Sequence, residues 1–242
     1  MERGPREDLE LELSADTGAA AWIAPRLTGG FGAVTRTVPD GFPAYARIFH
    51  PAPGPNGGWV RWEEVARTTG AHVHAVMQWH ALVGAQDWLN MTDSQWPGGN
   101  PERGNLGVEL LNNLCQLLAQ HTNTPEHCYF CIWEGYGWLG SDKLTAANPR
   151  VHLPWRDYIL LIGSLAKVTS SCWYTAHRQS PNLFWSADRL WCVASEIDFD
   201  STLVAGSASL IEAIVESRLF EAWRVGPDDS LAADADRVNG RR

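Results

Sequence analysis

The chain has few charged residues, no long hydrophobic run and none of the common catalytic motifs. Only 19% of its 242 residues are charged, whereas disordered chains combine a high charge density with few aromatic residues. No stretch of 18 uninterrupted apolar residues occurs, so the sequence excludes a membrane-spanning helix. Residues 1–8 lack the apolar segment that a secretory signal requires. We therefore expect a cytoplasmic globular protein.

Basic residues are also scarce, at 19 Lys and Arg against 28 Asp and Glu, which gives a formal net charge of −9. Nucleic acids and anionic membrane surfaces repel a protein of this charge. We expect neither as a partner, whereas a basic protein would suit an acidic surface. The five cysteines are an odd number in a chain without an export signal, which predicts free, buried thiols.

Hydrophobic periodicity predicts an α+β fold. Strands are expected at 44–50, 128–133, 157–162 and 190–198, and helices at 62–69, at 105–120 and from Ser209 to before Gly226. Consecutive strands in the C-terminal half favour a mostly antiparallel sheet with helices packed on it, in a single domain.

The same patterns predict that the chain is divided into three segments. Residues 1–18 form a charged arm in which apolar and acidic residues alternate, so that an edge strand and a disordered arm are both open. Residues 19–226 form the globular domain. Residues 227–242 are polar and are expected to be a disordered tail.

Motifs that carry chemistry are missing. There is no Gly-x-Ser-x-Gly elbow, no phosphate-binding loop and no dinucleotide fingerprint. Without these motifs no cofactor is expected, and a binding protein is favoured over an enzyme.

Three carboxylates form the first group of candidate site residues. Glu196, Asp198 and Asp200 alternate at the end of a predicted strand, so their side chains would share one face. They suit a divalent cation, but they also suit the exposed face of a half-buried strand. Arg189 is the expected internal partner, and an external cation or a basic protein is the alternative.

Histidines form a second, weaker candidate. His72 and His74 would share a face of a strand, and a His-x-His pair is a common part of a metal site. If the segment is helical, Trp79 and His80 instead complete an amphipathic face. Cys128 and Cys131 would point to opposite faces of a strand, which argues against a zinc site there.

The 13 tryptophans form the third group. Most are expected in the core, but Trp96, Trp138 and Trp185 are flanked by Gly, Pro or Ser and are expected to be exposed. Several others have a charged neighbour, such as Glu134 after Trp133 and Arg156 after Trp155. An aromatic body with a polar neighbour suits a binding surface.

Long Trp-rich strings carry a resemblance to known proteins. They are Arg47-Ile-Phe-His-Pro51, Trp62-Glu-Glu-Val-Ala66, residues 128–137, residues 180–189 and residues 191–202. In these strings the chain resembles an uncharacterised family of Trp-rich bacterial cytoplasmic proteins, from which no activity or site residue carries over. The expected order of sheet and final helix is also loosely similar to that of SUKH-type immunity proteins, which neutralise toxins by binding them.

Two functions are open on this basis. The first is an immunity-like module that binds a protein through an acidic, aromatic surface. The second is a metal-dependent hydrolase or a small-ligand-binding protein that uses Glu196, Asp198 and a histidine.

Overall fold

Nine strands form one sheet in the computed structural model, which describes residues 10–136, 148–171 and 179–240. The sheet order is β1-β7-β5-β8-β9-β10-β2-β11, with β6 beside β7, while β3 and β4 form a separate ladder. All of these ladders are antiparallel. In chain order the strands are β1 (Glu12–Leu13), β2 (Ala44–Phe49), β3 (Ala52–Pro53), β4 (Trp59–Val60), β5 (Cys128–Trp133), β6 (Val151–His152), β7 (Asp157–Gly163), β8 (Leu183–Ser186), β9 (Cys192–Ala194), β10 (Ser201–Gly206) and β11 (Ala222–Val225).

The helices of the described residues are mostly short. They are α1 (Val34–Thr37), α2 (Trp62–Thr69), α3 (Trp79–Leu82), α4 (Val108–Ala119) and α5 (Ala208–Glu216), with 3₁₀ turns at Gly18–Ala20, Ala24–Arg26 and Leu165–Ser171. The α+β class predicted from the sequence is confirmed. No described helix is long and apolar enough to cross a membrane.

Helix ends follow the local sequence. The Ser207 hydroxyl accepts the N–H of Leu210 and so caps α5, two residues before the predicted start. Gly70 ends α2 at φ +75°, a backbone conformation that glycine adopts without strain. Helix α4 begins after Gly107 rather than at Asn105, because the Asn105 amide is used elsewhere, accepting the N–H of Ser180.

Alternation along the strands separates two core clusters. On β2, Ala44, Ala46 and Ile48 face α4 and α5, whereas Tyr45 faces the N-terminal segment on the other side of the sheet. Strand β5 repeats the pattern, with Cys128 and Cys131 on opposite faces. The prediction that these two thiols diverge is confirmed, and the four cysteines outside residues 172–178 are buried and free.

Three segments differ from the sequence predictions. The helix predicted from Ser209 to before Gly226 ends at Glu216, and Ala222–Val225 forms strand β11 instead. The strand predicted at 190–198 ends at Ala194, because the chain turns at Ile197–Asp198 to enter β10. Residues 227–240, expected to be part of a disordered tail, pack on the body of the protein. Leu231 is buried in the cluster around Tyr45, and the carboxylate of Asp236 is buried as well. Polar composition concealed this packing, since only a few side chains of the segment anchor it.

Candidate functional site

The site lies at one end of the large sheet. Strands β7, β8 and β10 begin there, and β5, β9 and β2 end there, as the pairings Trp133↔Tyr158, Leu183↔Ala194 and Ser201↔Phe49 require. Because neighbouring strands run antiparallel, the turn before one strand and the turn after the next meet at the same edge. This edge borders a cavity of about 580 Å³.

Residues from six parts of the chain line the cavity, and most of them are charged or aromatic. They come from the α1 segment (Phe31, Arg36), from β2 (Arg47), from α3 and the following loop (His80, Trp88, Arg103), from the turn before β7 (Trp155, Arg156), from the β9–β10 turn (Glu196, Asp198, Phe199, Asp200) and from the C-terminal segment (Leu231 to Asp234). The volume lies within the range of small-molecule sites in proteins.

A buried ion pair forms the floor of the cavity. The Nη2 atom of Arg47 lies 3.5 Å from Oδ1 of Asp200. Arg47 is fully buried, and its other donors bond the Ser201 hydroxyl at 2.8 Å and the Met77 carbonyl at 2.7 Å. The guanidinium also lies over the ring of Phe49, 4.5 Å from its centroid. A buried charge needs such partners, since desolvation otherwise costs several kcal/mol.

Burial shifts the titration of both members of this pair. Desolvation lowers the pKa of Arg47 to about 10, while the charge of Asp200 opposes the change. Desolvation also raises the pKa of Asp200, although the charges of Arg47 and Arg103 act against it. Groups with displaced pKa values that face a cavity are typical of functional sites.

Arg156 joins two of the predicted carboxylates. Its Nε atom donates to Oε1 of Glu196 at 2.6 Å, and its Nη2 atom donates to Oδ2 of Asp198 at 3.0 Å. The guanidinium also lies 5.1 Å from the ring centroid of Trp133. Two of the three carboxylates are therefore engaged within the chain by one guanidinium, which offsets one of their two charges and leaves them less suited to draw in a basic protein.

Two further arginines lie over aromatic rings at the cavity. The Cζ atom of Arg36 lies 3.5 Å from the ring centroid of Trp155, and that of Arg103 lies 5.1 Å from the centroid of Trp88. Phe31 is 83% exposed, Trp155 is 58% exposed and Trp88 is 40% exposed. Exposed aromatic side chains that gather at one cavity are typical of surfaces that contact another molecule.

The C-terminal segment forms one wall of the cavity and is anchored by Asp236. This carboxylate accepts hydrogen bonds from Nε2 of His74 at 2.9 Å, from the N–H of Gln78 at 3.1 Å and from the N–H of Asn239 at 2.8 Å. Burial would raise the pKa of Asp236, but these hydrogen bonds outweigh it and lower the pKa. Asp236 therefore stays ionised and ties the wall to the segment before α3.

A buried chain of hydrogen bonds positions the Arg103 loop. Nδ1 of His50 lies 2.6 Å from the Glu102 carbonyl and must donate to it, so Nε2 accepts from the Thr202 hydroxyl at 2.9 Å. The Ser195 hydroxyl lies 2.7 Å from that of Thr202 and donates to it. Burial lowers the pKa of His50 to about 4, so the imidazole is neutral and structural.

His80 is the histidine that lines the cavity. Burial lowers the pKa of its imidazole, and Arg103 acts in the same direction, while Asp200 and Asp236 oppose it. A neutral imidazole and a carboxyl group of raised pKa thus border the same space.

Only some of the candidate residues from the sequence line the cavity. Glu196, Asp198 and Asp200 line the cavity, from a turn rather than from a strand. Glu134 is paired with Arg150 at 2.8 Å outside the lining. Trp96 is half-buried, packs against the cluster around Trp62 and donates to the Pro53 carbonyl. Trp138 lies outside the described residues.

Two candidates were misplaced by sequence reasoning. Trp185 is fully buried on β8, stacked on Tyr129 at 5.4 Å, and is not exposed as expected. Arg189 lies over Trp22 and does not contact the three carboxylates. It follows the end of β8, at the opposite end of the sheet from Glu196, so Arg156 and Arg47 take the place predicted for it.

The histidine candidates do not form a metal site in the described part of the chain. His74 is bound to Asp236, and the backbone N–H of His72 donates to Asn239. No group of three or more His, Cys, Asp or Glu among the described residues is arranged to hold a metal ion.

Sequence reasoning missed most of the cationic and aromatic residues of the site. One signal was present in Arg47, a charged residue inside the apolar strand Ala44–Phe49, since charged residues are rarely buried without a role. A second was the pair Trp155-Arg156. No sequence signal marks Arg36 or Arg103.

Comparison of the chain with known protein families, with curated proteins and with solved structures gave no match. The function is therefore argued from the geometry of the cavity.

Proposed function

We propose that this protein binds a small organic molecule in the cavity at the end of its sheet. The observation that carries the proposal is the Arg47–Asp200 pair, a charged floor with aromatic side chains above it. Ligand sites combine an apolar lining with a few convergent polar groups in this way.

The energetics of the floor support the proposal. A buried ion pair is seldom more stable than apolar residues of the same volume. The Arg47–Asp200 pair is buried and at the same time lines a space of about 580 Å³. It is therefore better explained by recognition of a polar ligand than by stability of the fold.

Binding to a basic protein through acidic residues has less support. Glu196 and Asp198 are held by Arg156, and the exposed aromatic residues Trp155 and Trp88 lie against arginines. The cavity lining thus holds four arginines beside its four carboxylates, so it is aromatic and mixed in charge rather than aromatic and acidic.

The experiment is a thermal-shift screen with metabolite-sized carboxylates, phosphates, amines, sugars and aromatic alcohols. A ligand at about a hundred times its Kd should raise the Tm by about 5 °C or more. Ala233→Phe places a ring in the cavity wall and should abolish the shift. Val238→Phe, at an exposed position of the same segment outside the lining, is the matched control and should keep it.

Two results would contradict the proposal. One is a screen in which no compound class stabilises the wild-type protein. The other is a set of stabilising compounds that act equally on Ala233→Phe and on Val238→Phe, because their site would then lie elsewhere.

A further inference from the structure

We infer that the ligand is an organic anion, a carboxylate or a phosphate monoester, whose oxygens bind Arg36 and Arg103. The inference rests on the proposed function, since it names the ligand class of the same cavity. It follows from which charged groups of the cavity are already paired and which are not.

Arg36 is held in place by aromatic rings instead of by a carboxylate. Its guanidinium lies over Trp155, at 3.5 Å from the ring centroid, and over Phe31, at 5.7 Å. Within residues 10–136, 148–171 and 179–240, no acceptor takes a hydrogen bond from its side chain and no carboxylate lies within 4 Å. Stacking covers the face of a guanidinium and leaves the N–H groups at its edge free to donate.

Arg103, a second arginine of the cavity lining, repeats this arrangement. Its guanidinium lies 5.1 Å from the centroid of Trp88, and one Nη2 hydrogen bond to the Trp88 carbonyl, at 2.5 Å, fixes its position. Among the described residues no carboxylate approaches within ion-pair distance of Arg103. The remaining donors of its planar fork are therefore available to a ligand.

Among the described residues, the acidic residues of the lining form no ion pair with these two arginines. Glu196 and Asp198 are bound by Arg156, and Asp200 is bound by Arg47. Asp234 is exposed and has no ion pair within the described ranges. The four arginines of the lining balance its four carboxylates in formal charge, but Arg36 and Arg103 are the two whose donors are largely unused within the described part of the chain. An anionic group, rather than a cation, therefore finds free donors at these two residues.

The chemistry of the arginines and of the aromatic rings indicates which organic anions suit the cavity. A guanidinium matches the two oxygens of a carboxylate or a phosphate with two parallel hydrogen bonds. The rings of Phe31, Trp88 and Trp155 are exposed at the same cavity, so a ligand with a flat apolar group can pack on them. Aryl carboxylates and aryl phosphates combine both features.

Four probes that share a phenyl ring and differ in the polar group test the inference. Benzoate, phenyl phosphate, benzyl alcohol and benzylamine are titrated by isothermal calorimetry, with tryptophan fluorescence as a second readout. We expect one or both anions to bind at least about tenfold more tightly than the alcohol and the amine. The ratio between benzoate and phenyl phosphate distinguishes a carboxylate ligand from a phosphate ligand.

Variants locate the binding groups. Arg36→Gln and Arg103→Gln should each weaken binding of the preferred anion about tenfold without changing binding of benzyl alcohol. Arg36→Lys should give an intermediate loss, because lysine keeps the charge but not the planar fork. Arg26→Gln is the matched control, since Arg26 also lies over a tryptophan, Trp22, but outside the cavity.

The outcomes separate this inference from the proposed function. Benzylamine or benzyl alcohol binding as tightly as both anions, or no binding of either anion, overturns the anion class but leaves the cavity as a site. Anion binding that is unchanged in both glutamine variants also overturns it. Equal anion binding to wild type and to Ala233→Phe contradicts both proposals.

Discussion

Arg47 on β2 and Asp200 in the turn just before β10 form an ion pair of 3.5 Å at the floor of the cavity. The pairing Ser201↔Phe49 brings them together, because it places the start of β10 beside the end of β2. Arg47 alternates with Ala46 and Ile48 and therefore points to the face of the sheet opposite α4 and α5. Its hydrogen bonds to Ser201 and Met77 also connect β2 to the segment before α3.

Loss of both members of this pair is expected to destabilise the protein by less than the two single losses added together. Arg47→Met should lower the free energy of unfolding by about 3–5 kcal/mol, because it leaves Asp200 and three acceptors without this donor. In the double variant Arg47→Met/Asp200→Asn the loss should be smaller than the sum of the single losses. Urea denaturation of the four proteins measures this coupling.

Arg224→Met is the control for that cycle. Arg224 lies on the adjacent strand β11, paired with Ala46, but its side chain is exposed. Its substitution should change the free energy of unfolding by no more than about 0.5 kcal/mol. Strict additivity of the Arg47 and Asp200 effects would contradict the assignment of these residues as a coupled pair.

Trp185 and Trp155 are expected to differ in how much each contributes to the stability of the protein. Trp185→Ala should cost about 3–5 kcal/mol of stability, because it removes a fully buried ring stacked on Tyr129. Trp155→Ala should cost no more than about 1 kcal/mol, since its ring is 58% exposed. Chemical denaturation gives both values, and Trp59→Ala, at a 67% exposed position outside the cavity lining, is the control. Equal losses for Trp185 and Trp155 would contradict the division into core and cavity residues.

Local sequence patterns were sufficient to predict most strands and helices, but they were insufficient to predict which residues line the cavity. The strand at β5 and the strand at β7 could be predicted because each is a continuous run of β-forming residues bounded by turn residues. The apolar stripes of α4 and α5 also matched their buried faces. These signals lie within about ten residues of each other along the chain.

Pairings between distant residues could not be predicted in the same way. Glu196 and Asp198 were found as candidates, but their partner Arg156 lies 40 residues from Glu196, and only the sheet order brings the two turns together. Arg189 is closer in the sequence and lies at the other end of the sheet. Arg36 and Arg103 line the cavity from short segments that have no hydrophobic periodicity and no motif. Composition therefore could not indicate their role.

The Asp236 anchor is expected to control order in the C-terminal segment. Asp236→Ala should cost about 1–3 kcal/mol, because His74, Gln78 and Asn239 lose a buried acceptor. Hydrogen exchange should increase in residues 227–240 and in the segment before α3, and much less in β5. Asp228→Ala, at an exposed position of the same segment, is the control. Unchanged exchange in residues 227–240 would show that Asp236 does not anchor the wall of the cavity.

The carboxylate of Glu221 is expected to make stability fall as the pH rises. It accepts the N–H groups of Trp62 at 2.6 Å and Glu63 at 2.8 Å at the start of α2, and burial raises its pKa from 4.5 to about 7. The folded protein therefore holds this proton more tightly than the unfolded chain. Stability from this group is present below pH 4.5 and is lost between pH 4.5 and about 7, by at most about 3 kcal/mol. Glu221→Gln cannot ionise and should give a flatter profile of unfolding free energy against pH, whereas Glu216→Gln, at an exposed position of α5, should follow the wild type. A profile of Glu221→Gln parallel to that of the wild type would show that the hydrogen bonds from α2 offset the effect of burial.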